Sequence, residues 1–169
     1  MDRILDKARE GHNLLEKIAN AIPGFKGYRE KELRRDADRL QREYLASRLD
    51  ECKKALDDIS AAASRSGSLD VINDIETARK RLDKLSNRIR YADRGYAGFF
   101  AAIKVKEDAL ERVYQFDLRL LGGVDAIRDA SNAATGAPDV TQAVRDMITA
   151  IDAVDASLAD RESILTGIR

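Results

Sequence analysis

Apolar residues recur along this chain at alternating intervals of three and four, the spacing that lines up one face of an α-helix. Leu5, Ala8, His12, Leu15, Ala19 and Ile22 predict a first helix over about 2–22, its stripe widened by Ile4 and Ile18. Pro23-Gly24 ends it, because proline cannot continue the hydrogen-bond ladder. A second helix, about 28–64, carries Leu33, Ala37, Leu40 and Tyr44 on one seam. Leu45, Leu49, Cys52, Leu56, Ile59 and Ala63 form the next seam, shifted by one residue. A strict heptad does not slip, so the shift predicts a drift toward a period of about 11 residues or a change of packing partner midway.

A third helix, about 69–93, has the cleanest seam: Val71, Ile75, Ala78, Leu82, Leu85, Ile89 and Ala92. A fourth, about 105–134, carries Leu110, Val113, Asp117, Leu120, Val124 and Ile127. Gly122-Gly123 interrupts it at a cost of about 2 kcal/mol relative to alanines, which predicts a kink or a close helix contact. A fifth, about 140–168, opens with a cap-like Asp139 and Gln142. Its seam is Val144, Met147, Ile151, Val154, Leu158, Arg161, Leu165 and Ile168.

Each helix has one apolar face and must bury it against others. Short connections force neighbouring helices to run antiparallel. The expected fold is therefore all-α: an elongated up-and-down antiparallel five-helix bundle with coiled-coil-like seams, forming a single domain over 1–169. Alternating directions place loops 23–28 and 94–104 at the same end. Phe25, Tyr28, Tyr91, Tyr96, Phe99 and Phe100 gather there.

Thirty basic residues balance thirty acidic ones, so any electrostatic argument is local. Between Arg79 and Lys106 nine basic residues face two acids, a local excess of nine minus two, or +7. The fifth helix is acidic. No apolar run approaches the roughly 20 residues that span a bilayer. One cysteine and no secretory pattern at the N-terminus point to a reducing, cytoplasmic setting.

The aromatic end with its basic collar predicts a binding tip of Phe25, Tyr28, Arg90, Arg94, Tyr96, Phe99, Phe100 and Lys104. The expected function is that of a non-catalytic interaction or scaffold module meeting a protein partner or an anionic membrane surface. The competing structural role for these rings is to cap the bundle. Three polar residues break the apolar seams: His12, Asp117 and Arg161. They fall at comparable heights, so a buried polar network is expected, since a carboxylate cannot be buried alone. An enzyme or small-ligand site centred on these three is the alternative function. Nucleic-acid binding through the basic helix 79–94 is weaker, because no recognition motif accompanies it.

Catalytic signatures are sparse. A lone His12 and a lone Cys52 fall short of a zinc site, and the Gly-Tyr-Ala-Gly tract lacks the Gly-Lys-Ser/Thr ending of a P-loop. Helix rise separates Cys52 from His12 by about 20 Å, too far for a nucleophile pair. No cofactor or metal is expected. The shifted seam of the second helix leaves a stripe near Cys52, Leu56 and Ile59 that suggests self-association.

Overall fold

A computed structural model describes residues 2–92 and 96–167. All regular structure in them is helical. The α-helices are α1 (Asp2–Ala21), α2 (Arg34–Ser66), α3 (Asp70–Arg90), α4 (Ala97–Ala101), α5 (Glu107–Ala134) and α6 (Val140–Gly167), with a 3-10 turn at Lys31–Leu33. Six helices thus replace the five expected. The additional one, α4, forms inside the stretch read as a loop. None of these helices is long and apolar enough to cross a membrane.

Chain contacts group into two units, one of residues 1–44, 90–120 and 157–169, the other of 45–89 and 121–156. The second unit has an almost wholly apolar core. Leu45, Leu49, Cys52, Leu56, Ile59 and Ala63 of α2 are buried, as are Val71, Ile75, Ala78, Leu82, Leu85 and Ile89 of α3. Leu121, Val124 and Ile127 of α5 and Val144, Met147, Ile151 and Val154 of α6 complete it. Cys52, Leu56 and Ile59 are at most 4% exposed, so the stripe expected to mediate self-association is already covered within the chain. Gly123 allows α6 to approach closely: a Cβ there would lie 2.6 Å from Val154 Cγ2.

Three arginines of the basic third helix are paired with acids of neighbouring helices. Arg79 pairs with Asp57 at 2.5 Å and Arg88 with Asp155 at 2.8 Å, while Arg81 pairs with Asp152. Lys53 reaches Asp83 at 2.5 Å, and Arg145 reaches Asp74 at 3.0 Å.

The first unit is built differently. On α1 the expected stripe is buried only in its later turns and is centred on Ile18 and Ile22, leaving His12 at its exposed margin. Ile18 and Ile22 are buried and Leu14 and Leu15 half-buried, whereas Leu5 is exposed. The face that packs is centred on Ile18 and Ile22, large aliphatic side chains whose burial contributes more than that of alanine.

On α2 the buried face keeps one register, and the expected change of packing partner falls midway, between Tyr44 and Leu45, where the chain's contacts pass from the first unit to the second. The buried face of its first turns is Arg34, Ala37, Asp38, Gln41 and Arg42, and it runs without a break into Leu45 and Leu49. Leu33, Leu40 and Tyr44, the residues that suggested a second seam, are only half-buried. The stripe keeps one register throughout, and its N-terminal part is polar.

Candidate functional site

The polar start of the α2 stripe meets Asp117 of α5 and Arg161 of α6 in a buried cluster. Arg161 is 1% exposed, and Asp117, Asp38 and Tyr28 are each at 0%. Arg161 Nε donates to Asp117 Oδ1 at 2.6 Å, and Nη2 donates to Asp38 Oδ1 at 3.1 Å and to Gln41 Oε1 at 2.9 Å. Tyr28 OH donates to Asp117 Oδ2 at 2.8 Å and accepts from Arg161 Nη2 at 3.2 Å. Asp38 Oδ2 accepts from Arg42 Nε at 2.7 Å, and Arg42 Nη1 then donates to the Arg90 carbonyl at 2.5 Å. Two arginines thus face two aspartates, and the buried charge sums to zero. That balance makes the burial tolerable, since an unpaired ion would cost several kcal/mol.

Arg161 also lies over the Tyr96 ring, 5.5 Å from its centroid, and its Nη1 donates to Tyr96 OH at 3.4 Å. Burial pulls the guanidinium down, but Asp117, Tyr28, Asp38 and Tyr96 outweigh it and hold Arg161 well above its ordinary value. Burial pushes the Asp117 carboxyl up, against Arg161, Gln41 and Tyr28, which hold it down. Burial likewise raises the Tyr28 phenol well above the usual range and Tyr96 to about 12.

A third buried arginine works without a carboxylate. Arg34, at 0% exposure, donates from Nε to the Tyr28 carbonyl at 2.7 Å and from Nη1 to the Ala102 carbonyl at 2.5 Å. Weaker contacts reach the carbonyls of Phe99 and Arg29. Burial lowers its pKa, offset in part by Glu32. Backbone dipoles thus solvate this cation, and it ties the segment before α2 to the C-terminal end of α4.

The aromatic rings pack around Arg161 and Arg34. Tyr28 meets Phe25 and Phe99 edge-on at 5.4 Å and stacks on Tyr114 at 5.6 Å. Gly27 makes this arrangement possible. Its φ is +83°, and a Cβ would sit 2.6 Å from Tyr114 OH, the oxygen that accepts the Tyr28 N–H at 3.0 Å.

Two expectations are corrected here. The tip rings Phe25, Tyr28, Tyr96, Phe99 and Phe100 are all at most 5% exposed, so they cap the interior and offer no apolar wedge. Their hydroxyls and faces are occupied by the arginines, which makes burial favourable for Tyr as well as Phe. His12 is exposed and takes no part in the cluster, because the face of α1 that packs is the one carrying Ile18 and Ile22. The triad of His12, Asp117 and Arg161 is therefore not assembled; the structure brings together only Asp117 and Arg161.

Of the collar, Arg90 is half-buried and Lys104 exposed, while Arg94 lies outside the described residues. Tyr91 is 64% exposed and apart from the buried rings. Comparison with protein-family models, curated proteins and solved structures finds no match to this chain. Among the described residues no group of three or more His, Cys, Asp or Glu side chains is placed to hold a metal ion.

The cluster residues missed in the sequence are Asp38, Gln41, Arg42 and Arg34. The signal for them exists: continuing the Leu45–Leu49 register backwards lands on Asp38, Gln41 and Arg42. Polar residues in register with an apolar seam are candidates for a paired interior.

Proposed function

We propose that this chain is a non-catalytic interaction module whose contact residue is Ile103, presented with Lys104 to a protein partner. The observation that carries the reading is that Ile103 is 89% exposed, more than any other large apolar side chain described. It directly follows Ala102, whose carbonyl is gripped by the buried Arg34. The preceding helix α4 carries Phe99 and Phe100, packed at 5.6 Å, with Arg35 over the Phe100 ring at 4.6 Å. A rigid platform of this kind lowers the ordering cost of binding.

The rings belong to the interior, and the contact surface consists of Ile103 with the exposed Lys104 and Lys106. A protein partner is preferred to an anionic membrane because the surroundings are mixed in charge. Glu107 pairs with Arg29 at 2.5 Å and Asp108 with Lys7 at 2.7 Å, while Glu30 and Glu32 stand exposed in the flanking segments. Lipid binding of this type gains about 1 kcal/mol per basic residue near the surface, which those acids offset.

The test is a photo-crosslinking residue placed at position 103, with position 39 on the exposed face of α2 as control. A protein adduct specific to position 103, lost in Lys104→Glu and reproduced with the purified partner, is expected. Equal labelling at both positions overturns the proposal. Sedimentation with anionic but not neutral vesicles, abolished by Ile103→Ser, would transfer the tip to a membrane.

A further inference from the structure

One side chain in the buried cluster of the first unit uses only half of its hydrogen-bonding capacity. Gln41 is 1% exposed, and its Oε1 accepts from Arg161 Nη2 at 2.9 Å and lies 3.2 Å from the Tyr28 hydroxyl. Its Nε2 has no hydrogen-bond partner. Among the described residues it is the one buried side-chain nitrogen or oxygen of which this is true. The amide cannot turn over to mend this, because Nε2 would then face Arg161 Nη2, a donor against a donor. A buried donor without an acceptor forfeits its hydration and gains nothing in return, so native interiors satisfy such groups.

The chemistry of the surroundings decides what can meet this donor. Whatever touches Nε2 must offer a lone pair, which excludes a metal ion, an ammonium group or an apolar molecule. An anion would lie beside the Asp38 and Asp117 carboxylates, and the nearby cations Arg161 and Arg42 are already paired with them. A neutral group that both accepts and donates is left. Its donating side also has a target. Each carboxylate oxygen of Asp117 accepts from one of these side chains, Oδ1 from Arg161 Nε and Oδ2 from Tyr28 OH. An ionised carboxylate has about four acceptor positions, so about half are to spare. Gln41 is close enough to help hold the Asp117 carboxyl down, yet no hydrogen bond joins Nε2 to it. Water is the smallest molecule with both functions, and buried waters typically bond to polar groups that would otherwise be unsatisfied.

We infer that the cluster binds one buried water molecule, which accepts from Gln41 Nε2 and donates to Asp117. Gln41 then joins α2 to α6 through Oε1 and to α5 through the water. Ile103 and the partner proposed for it play no part in this. The test counts long-lived waters by magnetic relaxation dispersion of the water oxygen nucleus, which hydroxyl-proton exchange does not disturb. Gln41→Met keeps the length of the side chain and removes the amide, and it is expected to hold one such water fewer than wild type. Gln115→Met, which removes a half-buried glutamine of α5, is expected to hold the same number as wild type. Equal counts in wild type and Gln41→Met, or the same loss in Gln115→Met, overturn the inference. Should Gln41→Met not fold, a crystal structure of the wild-type chain decides. An ordered water within about 3.2 Å of Gln41 Nε2 is expected, and a protein oxygen or no ordered atom at that distance overturns the inference.

Discussion

Arg161 makes more side-chain contacts in the buried cluster than any other residue there, and its removal shows how such clusters behave. Replacing it with leucine leaves Asp117 and Asp38 buried, with only Arg42 to balance them. Breaking a buried pair in this way costs about 3–5 kcal/mol, whereas replacing both partners with apolar residues can be close to neutral. Arg161→Leu should therefore destabilise by about 3–5 kcal/mol in urea titrations. Arg161→Leu/Asp117→Leu should be less destabilised than the sum of the two single variants, since it removes one charge of each sign. A double variant at or beyond that sum would show that the two side chains act independently. His12→Ala, on the solvent side of α1, should stay within about 0.5 kcal/mol of wild type, and a large loss there would restore His12 to the interior.

At the scale of the element, Gly122 and Gly123 give opposite expectations from one helix. A Cβ at Gly122 meets nothing within 4 Å, so Gly122→Ala should stabilise α5 by up to about 1 kcal/mol. A Cβ at Gly123 meets Val154 Cγ2 at 2.6 Å, and valine in a helix has little rotamer freedom to yield. Gly123→Ala should lower the melting temperature, and an increase would mean that the α5–α6 contact is loose. The need for a close contact at this pair was legible in the sequence; which glycine makes it was not, because that depends on the partner helix. The seams of α3, α5, α6 and the later part of α2 were legible for the same reason that the first turns of α1 and α2 were not. Where one apolar stripe exists, periodicity names the buried face. Where the stripe is buried only in part, as on α1, or turns polar, as at Asp38 and Gln41, the pattern of apolar residues does not name the buried face. The interior role of Phe99 and Phe100 depended on Arg34, whose burial on backbone carbonyls has no periodic signature.

For the whole molecule, the burial of tyrosines sets how stability responds to alkali. Three of the five tyrosines, Tyr28, Tyr96 and Tyr114, are at most 3% exposed, and burial raises the pKa of each. In the unfolded chain a phenol ionises near pH 10. In the folded chain Tyr96 holds its proton to about 12. Between those values the folded state binds more protons than the unfolded one, so stability falls as pH rises. It is fully present below about pH 10 and declines by up to about 1.4 kcal/mol per pH unit for each such phenol. Urea midpoints measured at pH 9, 10 and 11 should therefore drop with increasing slope. Absorbance at 295 nm should show the buried phenols ionising only as the chain unfolds. Tyr96→Phe removes one of these phenols at the loss of a single long hydrogen bond, the 3.4 Å contact from Arg161 Nη1. Its midpoints should decline less steeply above pH 10 than those of wild type. Identical slopes would mean that the Tyr96 hydroxyl reaches solvent in the folded state and that the cluster around Arg161 is open on that side.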